Sequence, residues 1–172
     1  KRFSQAPFEF VCLPYKRFLL ELAQSEVVLI TPGLVTAETV FQSGTPTIFL
    51  PPSNNSQYLQ LDEFREHGLA PASVHLSDFM PRLNLRGVPI HESLQKVLGQ
   101  LRELEKSSDM QREISLRIKE LIKNRRNWSA EFSINGRKFI DSLGGNGALA
   151  VADKIMQLLS ARKLEYDKSY AK

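Results

Sequence analysis

The sequence predicts an α/β fold, a parallel sheet with helices packed against it, followed by a helical C-terminal segment. Over residues 8–50, short apolar runs rich in β-branched residues alternate with segments whose apolar residues recur at helical spacing. The resulting order of strand, helix, strand, helix, strand calls for parallel strands joined by right-handed crossovers. Beyond residue 90 only the helical spacing remains, so that part is expected to be helical.

The first three predicted elements lie before residue 31. Phe8 to Leu13 is a short apolar run stopped by Pro14, which predicts a strand. Tyr15 to Ala23 has apolar residues spaced i, i+3 and i+4, which predicts a helix. Val27 to Ile30 is a continuous, mostly β-branched run, the pattern of a strand buried on both faces of a parallel sheet.

The alternation continues to residue 76. Leu34 to Gln42 is predicted to be a helix that stops at Ser43-Gly44, and Thr47 to Leu50 is predicted to be a second buried strand. Gln57 to His67 has a helical pattern, and a short strand is expected around Ser73 to Leu76.

Four helices are predicted in the second half of the chain. The first carries a stripe of leucines, and an N-cap signal in Ser107-Ser108-Asp109 starts the next one. The first helix is marked by Leu94, Leu98 and Leu101, and the second by Ile114, Ile118, Leu121 and Ile122. The third and fourth cover Ala130 to Leu143 and Ala148 to Leu159. A glycine-rich turn over residues 144–147 separates the last two helices.

Charge and spacing divide the chain into two parts, residues 1–86 and residues 87–172. The first part holds 7 Lys and Arg against 8 Asp and Glu, whereas the second holds 16 against 11. We expect the first part to be the α/β, ligand-binding part. The second is expected to pack its helices on the same domain or on an absent N-terminal lobe.

Composition restricts the class of protein. With 172 residues, 42% of them apolar, the chain fits one compact domain rather than a disordered segment. It contains no apolar run of the roughly 18 to 20 residues that a membrane span needs, so no membrane span is expected. The single cysteine, Cys12, cannot form an internal disulfide, which favours a cytoplasmic location. The sequence starts at Lys1 without an initiator Met, and we expect it to be a fragment of a longer protein.

The most informative stretch for function is Ile30 to Thr39, between a predicted buried strand and a predicted helix. In parallel sheets, ligands collect at the carboxyl ends of strands, where a glycine turn lets a ligand approach the backbone. The free N–H groups at a helix start favour a phosphate, and the Thr36 hydroxyl can add a hydrogen bond. The alternative is that Pro32-Gly33 is only a turn and Thr36 only a helix cap.

These residues, with those that follow, resemble the donor-binding half of the GT-B-fold glycosyltransferases. That family includes the peptidoglycan N-acetylglucosaminyltransferase and the UDP-glucuronosyltransferases. The resemblance rests on Gly33-x-x-Thr36, Gly44-x-Pro46, the strand after them and Gln57. It covers about Val27 to Ala70, and the loop from Leu50 to Gln60 resembles in particular a bacterial subgroup that contains cytosylglucuronate synthases. The fold it implies is a Rossmann-like parallel sheet, here part of a GT-B C-terminal domain.

By this resemblance, six residues would bind the nucleotide-sugar donor: Gly33, Thr36, Glu38, Thr39, Ser56 and Gln57. Gly33 and Thr36 would contact the diphosphate. Gln57, with Ser56 beside it, would face the donor sugar.

The sequence departs from the family pattern at two of these positions. The family's glutamate, which pairs with the ribose hydroxyls, aligns with Thr39, whereas Glu38 lies one residue earlier, about 100° around the helix. Both residues are therefore candidates for ribose recognition. Ser56 stands where the family has an acidic residue, which removes a carboxylate acceptor for sugar hydroxyls.

The implied activity is transfer of a sugar from a nucleotide-sugar, a UDP-sugar, to a small-molecule acceptor. The acceptor lobe, which in this fold usually supplies the catalytic base, is missing, so no catalytic residue is assigned and the chain alone is expected to be inactive. A helix N-terminus with hydroxyl donors stabilises the leaving diphosphate, so no metal or other cofactor is expected. His67, His75 and His91 lack i, i+4 pairing, and capping or surface roles suit them better than a metal site.

Two other functions are weighed. The segment Lys123 to Trp128 combines basic residues with an aromatic one, as nucleic-acid-binding segments do. The same residues suit a solvated helix end with Trp128 docked in the core, so no nucleic-acid partner is expected. The competing hypothesis for the whole chain is a non-catalytic α/β module whose helical half docks a protein partner.

Overall fold

The computed structural model describes residues 11–144 and Met156. Two predictions therefore lie wholly or largely outside the described residues. These are the helix over Ala148 to Leu159 and the glycine-rich turn beyond Gly144. Residues 8–10 of the first predicted strand lie outside them as well.

The protein is a mixed α/β structure that is mostly helical, with a small parallel sheet of two strands. Within the described residues the elements are α1 (Tyr15–Gln24), β1 (Val28–Ile30), α2 (Leu34–Ser43), β2 (Thr47–Phe49), α3 (Asn55–Glu66), a 3₁₀ helix (Leu76–Asp78), α4 (Ile90–Lys106), α5 (Ser108–Lys123) and α6 (Arg125–Ser142). The predicted order of helix, strand, helix, strand, helix from residue 15 to residue 66 is confirmed.

The two strands run parallel, with Val28 opposite Thr47 and Ile30 opposite Phe49. Residues 72–74 lie beside β2 on the side away from β1. The Phe49 N–H donates to the Ala72 carbonyl, and the Val74 N–H donates to the Phe49 carbonyl. The predicted strand over Ser73 to Leu76 is thereby reduced to a single parallel bridge at Ser73. It goes no further because the chain turns into the 3₁₀ helix at Leu76.

Two strand predictions are wrong in part. Residues 11–13, the described part of the strand predicted over Phe8 to Leu13, have no strand partner and are exposed. The run at β1 forms a strand, but it is not buried on both faces, since Leu29 is 41% exposed. The physical reason is position: within the described part of the chain, β1 pairs with β2 on one side only.

Helix α2 ends at Ser43 with Gly44 as its C-cap, as the Ser43-Gly44 stop in the sequence predicts. Gly44 adopts the left-handed conformation, with φ 68°, and its N–H donates to the Val40 carbonyl at 3.0 Å. A side chain there would be strained, so Gly44 suits this helix end better than any other residue. The chain then turns directly into β2.

A cluster of aromatic rings forms the centre of the core. Phe41 of α2 lies 5.4 Å from the Phe64 ring and 5.7 Å from those of Phe132 and Phe139, centroid to centroid. Phe132 and Phe139 belong to α6, which comes close because Gly136 faces Phe41: a Cβ at Gly136 would lie 3.1 Å from the Phe41 ring. The last described helix therefore packs directly against α2 and shares its core.

The buried face of α4 differs from the predicted leucine stripe. Leu94, Leu98 and Leu101 are only half-buried, whereas the fully buried positions are Ser93, Val97 and Gln100. The two polar residues are buried because each has a partner: the Ser93 hydroxyl accepts from Asn55 Nδ2 at 2.8 Å, and Gln100 Nε2 donates to the Pro81 carbonyl at 2.7 Å. Such pairing offsets part of the cost of burial, although Gln100 Oε1 is buried without a hydrogen-bond partner among the described residues.

Helices α5 and α6 follow the sequence prediction more closely. Ser107 caps α5 by accepting from the Met110 N–H, and Ile114 and Leu121 are buried on the predicted stripe. Helix α6 begins at Arg125 rather than Ala130. It starts early because Trp128 anchors its first turns in the core. In the part of the chain that the structure describes, no helix is long and apolar enough to cross a membrane.

Candidate functional site

The predicted site lies at the carboxyl edge of the two-stranded sheet. The turn over residues 31–33 leaves β1 there and leads into α2, and residues 50–54 leave β2 and lead into α3. The Leu50 N–H donates to the Ile30 carbonyl at 2.8 Å, which holds the two loops together at their start. The N-termini of α2 and α3 therefore meet at one edge, the position at which open parallel sheets bind ligands.

Helix α2 starts with unsatisfied backbone donors. Gly33 is its N-cap, no side chain caps it, and its first internal bond runs from the Ala37 N–H to the Gly33 carbonyl at 2.8 Å. Among residues 11–144, nothing accepts from the N–H groups of residues 34–36. These groups and the positive end of the helix dipole suit an anion.

Gly33 is not required by backbone conformation. Its φ of −144° is extended, so other residues could adopt it. A Cβ at this position would meet nothing within 4 Å, which means that the space beside the backbone is open. That openness, rather than a strained turn, is what Gly33 contributes to the edge.

The other α2 candidates differ in availability. The Thr36 side chain is half-buried, and no residue in the described range hydrogen-bonds its hydroxyl. Thr39 Oγ1 donates to the Val35 carbonyl at 2.8 Å, so its proton is used within the helix. Glu38 is exposed and forms no ion pair with residues 11–144. Of the two candidates for ribose recognition, only Glu38 keeps its polar group free.

The loop before α3 fixes the orientation of Gln57. Asn54 caps the helix, its Oδ1 accepting from the Gln57 N–H at 2.9 Å. Gln57 Oε1 accepts from the Ser53 N–H at 2.9 Å and from the Ser53 hydroxyl at 2.8 Å. The amide oxygen is thus consumed, and Gln57 offers its Nε2 donor. Ser56 is exposed beside it.

His75 lies between the Ser73 bridge and the 3₁₀ helix, and its burial is not indicated by the sequence pattern around it. The prediction of a capping role is confirmed: the imidazole Nδ1 accepts from the Ser77 N–H at 3.0 Å, and the His75 N–H donates to Asp78 Oδ2 at 2.9 Å. The ring is also completely buried. No periodicity surrounds His75, and its burial depends on contacts with α3 that are distant in sequence.

The second ring nitrogen of His75 faces a carboxylate without bonding to it. Nε2 lies 3.8 Å from Asp62 Oδ1 and has no hydrogen-bond partner, while the Tyr58 ring packs edge-on at 4.3 Å between centroids. Burial lowers the pKa of His75 below its usual range, and the nearby Asp62 carboxylate offsets only part of that effect. The imidazole is therefore neutral at pH 7.

A polar cavity of about 320 Å³ borders this cluster and is lined by Asp62, Arg65, Glu66, Ser77 and Arg82. Its arginines are already neutralised by carboxylates: Arg65 contacts Asp78 at 2.8 Å, and Arg82 contacts Asp62 at 3.3 Å. Because its charges are paired, the cavity has no uncompensated charge with which to hold an ion. We assign the cluster to the stability of the fold.

The two remaining histidines lie at the surface, and the aromatic residue of the basic segment, Trp128, lies in the core. His67 and His91 are exposed, and no group of three or more potential metal ligands occurs among the described residues. Trp128 is 6% exposed, and its Nε1 donates to the Leu121 carbonyl at 3.0 Å. Its docking in the core is as predicted, so its ring cannot stack on a base. Lys123 lies in the last turn of α5 as expected, but Arg125 and Arg126 lie in the first turn of α6 and not at the end of a helix.

Comparisons of the chain with protein-family models, with curated proteins and with solved structures found no match.

Proposed function

We propose that this chain is the donor-binding part of a GT-B-type glycosyltransferase and binds a nucleotide-sugar, a UDP-sugar, at the carboxyl edge of its sheet. One observation carries the proposal: the uncapped N-terminus of α2 and the loop that orients Gln57 follow adjacent parallel strands and leave the same edge. Together they bring anion-binding and sugar-binding groups to one place.

The diphosphate would bind at the start of α2. The unpartnered N–H groups of residues 34–36 and the Thr36 hydroxyl supply donors, and the open space at Gly33 lets a phosphate reach them. Negative charge develops on the leaving diphosphate during glycosyl transfer, and fixed dipoles stabilise it at no cost of reorganisation. Glu38, the free carboxylate one turn further, would accept from the ribose hydroxyls.

The sugar would lie against Ser56 and Gln57. Since Ser53 holds the amide oxygen of Gln57, the residue can only donate to a sugar oxygen. Transfer to a small-molecule acceptor needs a base, and we assign that base to an N-terminal acceptor lobe rather than to a residue of this sequence. We therefore expect negligible transferase activity from the chain alone.

The test is titration of the ¹⁵N-labelled protein with UDP and with UDP-sugars, followed by NMR and calorimetry. We expect amide shifts at residues 34–36 and at Gln57, and weaker binding for Thr36→Val and Gln57→Ala. Thr36→Ser, which keeps the hydroxyl, and Gln42→Ala, an exposed glutamine at the far end of α2, are the matched controls. Absence of shifts at both helix starts would end the proposal.

A second candidate is a non-catalytic α/β module whose helical half docks a protein partner. It is favoured by the internal use of two candidate groups, the Thr39 hydroxyl and the Gln57 amide oxygen, which serve the fold itself. Thr36→Val and Gln57→Ala discriminate between the two functions in a protein that includes the acceptor lobe. Unchanged turnover in both variants favours the module.

A further inference from the structure

Asn55, the first residue of α3, connects the sugar end of the candidate site, Ser56 and Gln57, to helix α4. Its Nδ2 donates to the Ser93 hydroxyl at 2.8 Å, and the same hydroxyl donates to the Ile90 carbonyl at 2.9 Å. Ser93 is 2% exposed. Because its hydroxyl proton is used within α4, Ser93 can only accept from Asn55. The first turns of the two helices therefore fit together in one way.

The other side-chain hydrogen bonds of this turn of α3 are local. Residues 53–54 bond the amide oxygen and the backbone N–H of Gln57, which fixes Gln57 only relative to its own turn. In the described part of the chain, the bond from Asn55 to α4 is the only hydrogen bond that joins residues 51–57 to another element. It is therefore the polar contact that places this turn relative to the rest of the protein.

A buried hydrogen bond fixes the alignment of two helices more strictly than apolar contacts do. Apolar side chains tolerate a small displacement, whereas a hydrogen bond is lost when either helix shifts, and its groups are then left unsatisfied. The apolar cluster that contains Tyr58 and Val97 lies about one turn further along each helix. The bond between Asn55 and Ser93 adds the alignment of the first turns themselves.

We propose that Asn55 is a positioning residue for the sugar of the nucleotide-sugar donor. Its bond to Ser93 holds the first turn of α3, and with it Gln57, at the place from which Gln57 Nε2 donates to a sugar oxygen. The inference rests on the proposed function. It gives Asn55 no contact with the diphosphate, which would bind at the start of α2. Loss of the bond should therefore weaken recognition of the sugar and leave recognition of the diphosphate unchanged.

The position of Gln57 is tested first in the free protein. Ser93 bonds this turn only through Asn55, so Ser93→Ala should shift the NMR signals of the Gln57 side-chain amide. The matched control is Asn135→Ala. Asn135 Nδ2 donates to the Gly68 carbonyl at 2.9 Å, just beyond the other end of α3, and loss of that bond should leave the Gln57 signals in place. Unchanged Gln57 signals in Ser93→Ala would overturn the proposal, whatever the protein binds.

Calorimetric titration with UDP, UDP-N-acetylglucosamine and UDP-glucuronate then tests the effect on binding. For the UDP-sugar that binds the wild type more tightly, Asn55→Ala and Ser93→Ala should each raise the dissociation constant about threefold to tenfold. The dissociation constant of UDP should stay as it is in the wild type. The double variant should lose no more affinity than either single variant, since both changes remove the same bond. Asn135→Ala, which loses a bond of the same kind, should change neither constant.

Circular dichroism confirms that each variant is folded. Should Asn55→Ala fail to fold, Ser93→Ala, which removes only a hydroxyl, gives the same comparison. Unchanged affinity for the UDP-sugar, equal losses for UDP and the UDP-sugar, or additive losses in the double variant would overturn the role of Asn55 and leave the proposed function standing. A wild-type chain that binds none of the three compounds overturns the proposed function and, with it, the role of Asn55.

Discussion

His75 Nε2 lies 3.8 Å from Asp62 Oδ1 in a completely buried position, with no hydrogen bond at that nitrogen. Ser77 occupies the other ring nitrogen as a donor, which leaves the proton on Nε2 and directs it toward the carboxylate. Asp62 is itself bound to Arg82, so its charge is shared between the two. The pair joins α3 to the 3₁₀ helix without forming a full ion pair.

This relationship predicts that the protein is less stable in mild acid. The pKa of His75 is lowered in the folded state, so below about pH 6.5 the unfolded chain binds the proton more readily than the native one. The free energy of unfolding should therefore be greatest above that pH. It should fall as the pH decreases, by at most about 1.4 kcal/mol per pH unit.

Chemical denaturation between pH 5 and pH 8 measures this slope. His75→Asn keeps an acceptor near the Ser77 N–H but cannot titrate, and it should flatten the profile. His67→Asn, at an exposed histidine, should leave the slope as it is in the wild type. A His75→Asn profile as steep as that of the wild type would contradict the assignment.

Gly136→Ala should destabilise the protein. The added Cβ would lie 3.1 Å from the Phe41 ring and 3.3 Å from its Cα, so α6 or Phe41 must move. Overpacking of this kind costs about 1–3 kcal/mol. Gly99→Ala in α4 is the matched control: nothing lies within 4 Å of its Cβ position. It should stabilise by about 0.5–1 kcal/mol because alanine favours the helix. Thermal unfolding of both variants gives the comparison.

Asn54→Ala should cost about 1 kcal/mol of stability, because it removes the side chain that caps α3. Ser56→Ala changes an exposed hydroxyl two residues away and should stay within about 0.5 kcal/mol of the wild type. The same pair separates structure from binding. If Ser56 faces the sugar, its variant should lose affinity for UDP-sugars while keeping its stability, and equal affinity would remove Ser56 from the site.

Trp128→Phe should destabilise by about 1–3 kcal/mol, since it leaves the Leu121 carbonyl without its donor at the end of α5. Leu116 also belongs to α5 and is 55% exposed, so Leu116→Ala should have little effect on stability. Urea denaturation followed by circular dichroism measures both. A loss of stability in Leu116→Ala as large as that in Trp128→Phe would show that the Trp128 hydrogen bond is not the cause.

Local patterns predicted the elements that depend on local physics. The apolar spacing of Tyr15 to Ala23, the helix stop at Ser43-Gly44 and the N-cap signal in residues 107–109 all act within a few residues. The structure has each of them, with Gly44 left-handed and Ser107 as the cap. The starts of α2 and α3 lie at one edge for the same reason, since they follow from the order of strands and helices, and their role as a donor site stays a prediction.

The burial of individual side chains that the sequence did not predict depends on partners distant along the chain. Ser93 and Gln100 are buried because Asn55 and Pro81 bond them, and no helical stripe contains that information. Leu29 is exposed on a strand that, among residues 11–144, has a partner only on its β2 side. His75 is buried by contacts with Tyr58 and Asp62, which precede it by more than a helical turn and belong to another element.

The contact between Gly136 and Phe41 links the two ends of the described chain. Phe41 lies in the last turn of α2, so the helix whose first residues would hold a phosphate is fixed in place by a residue about a hundred positions later. A protein cut at Gly87 would keep the strands, Gly33 and Thr36. It would lose the surface against which α2 is positioned, so the start of α2 could not be transplanted in its present position with the first half alone.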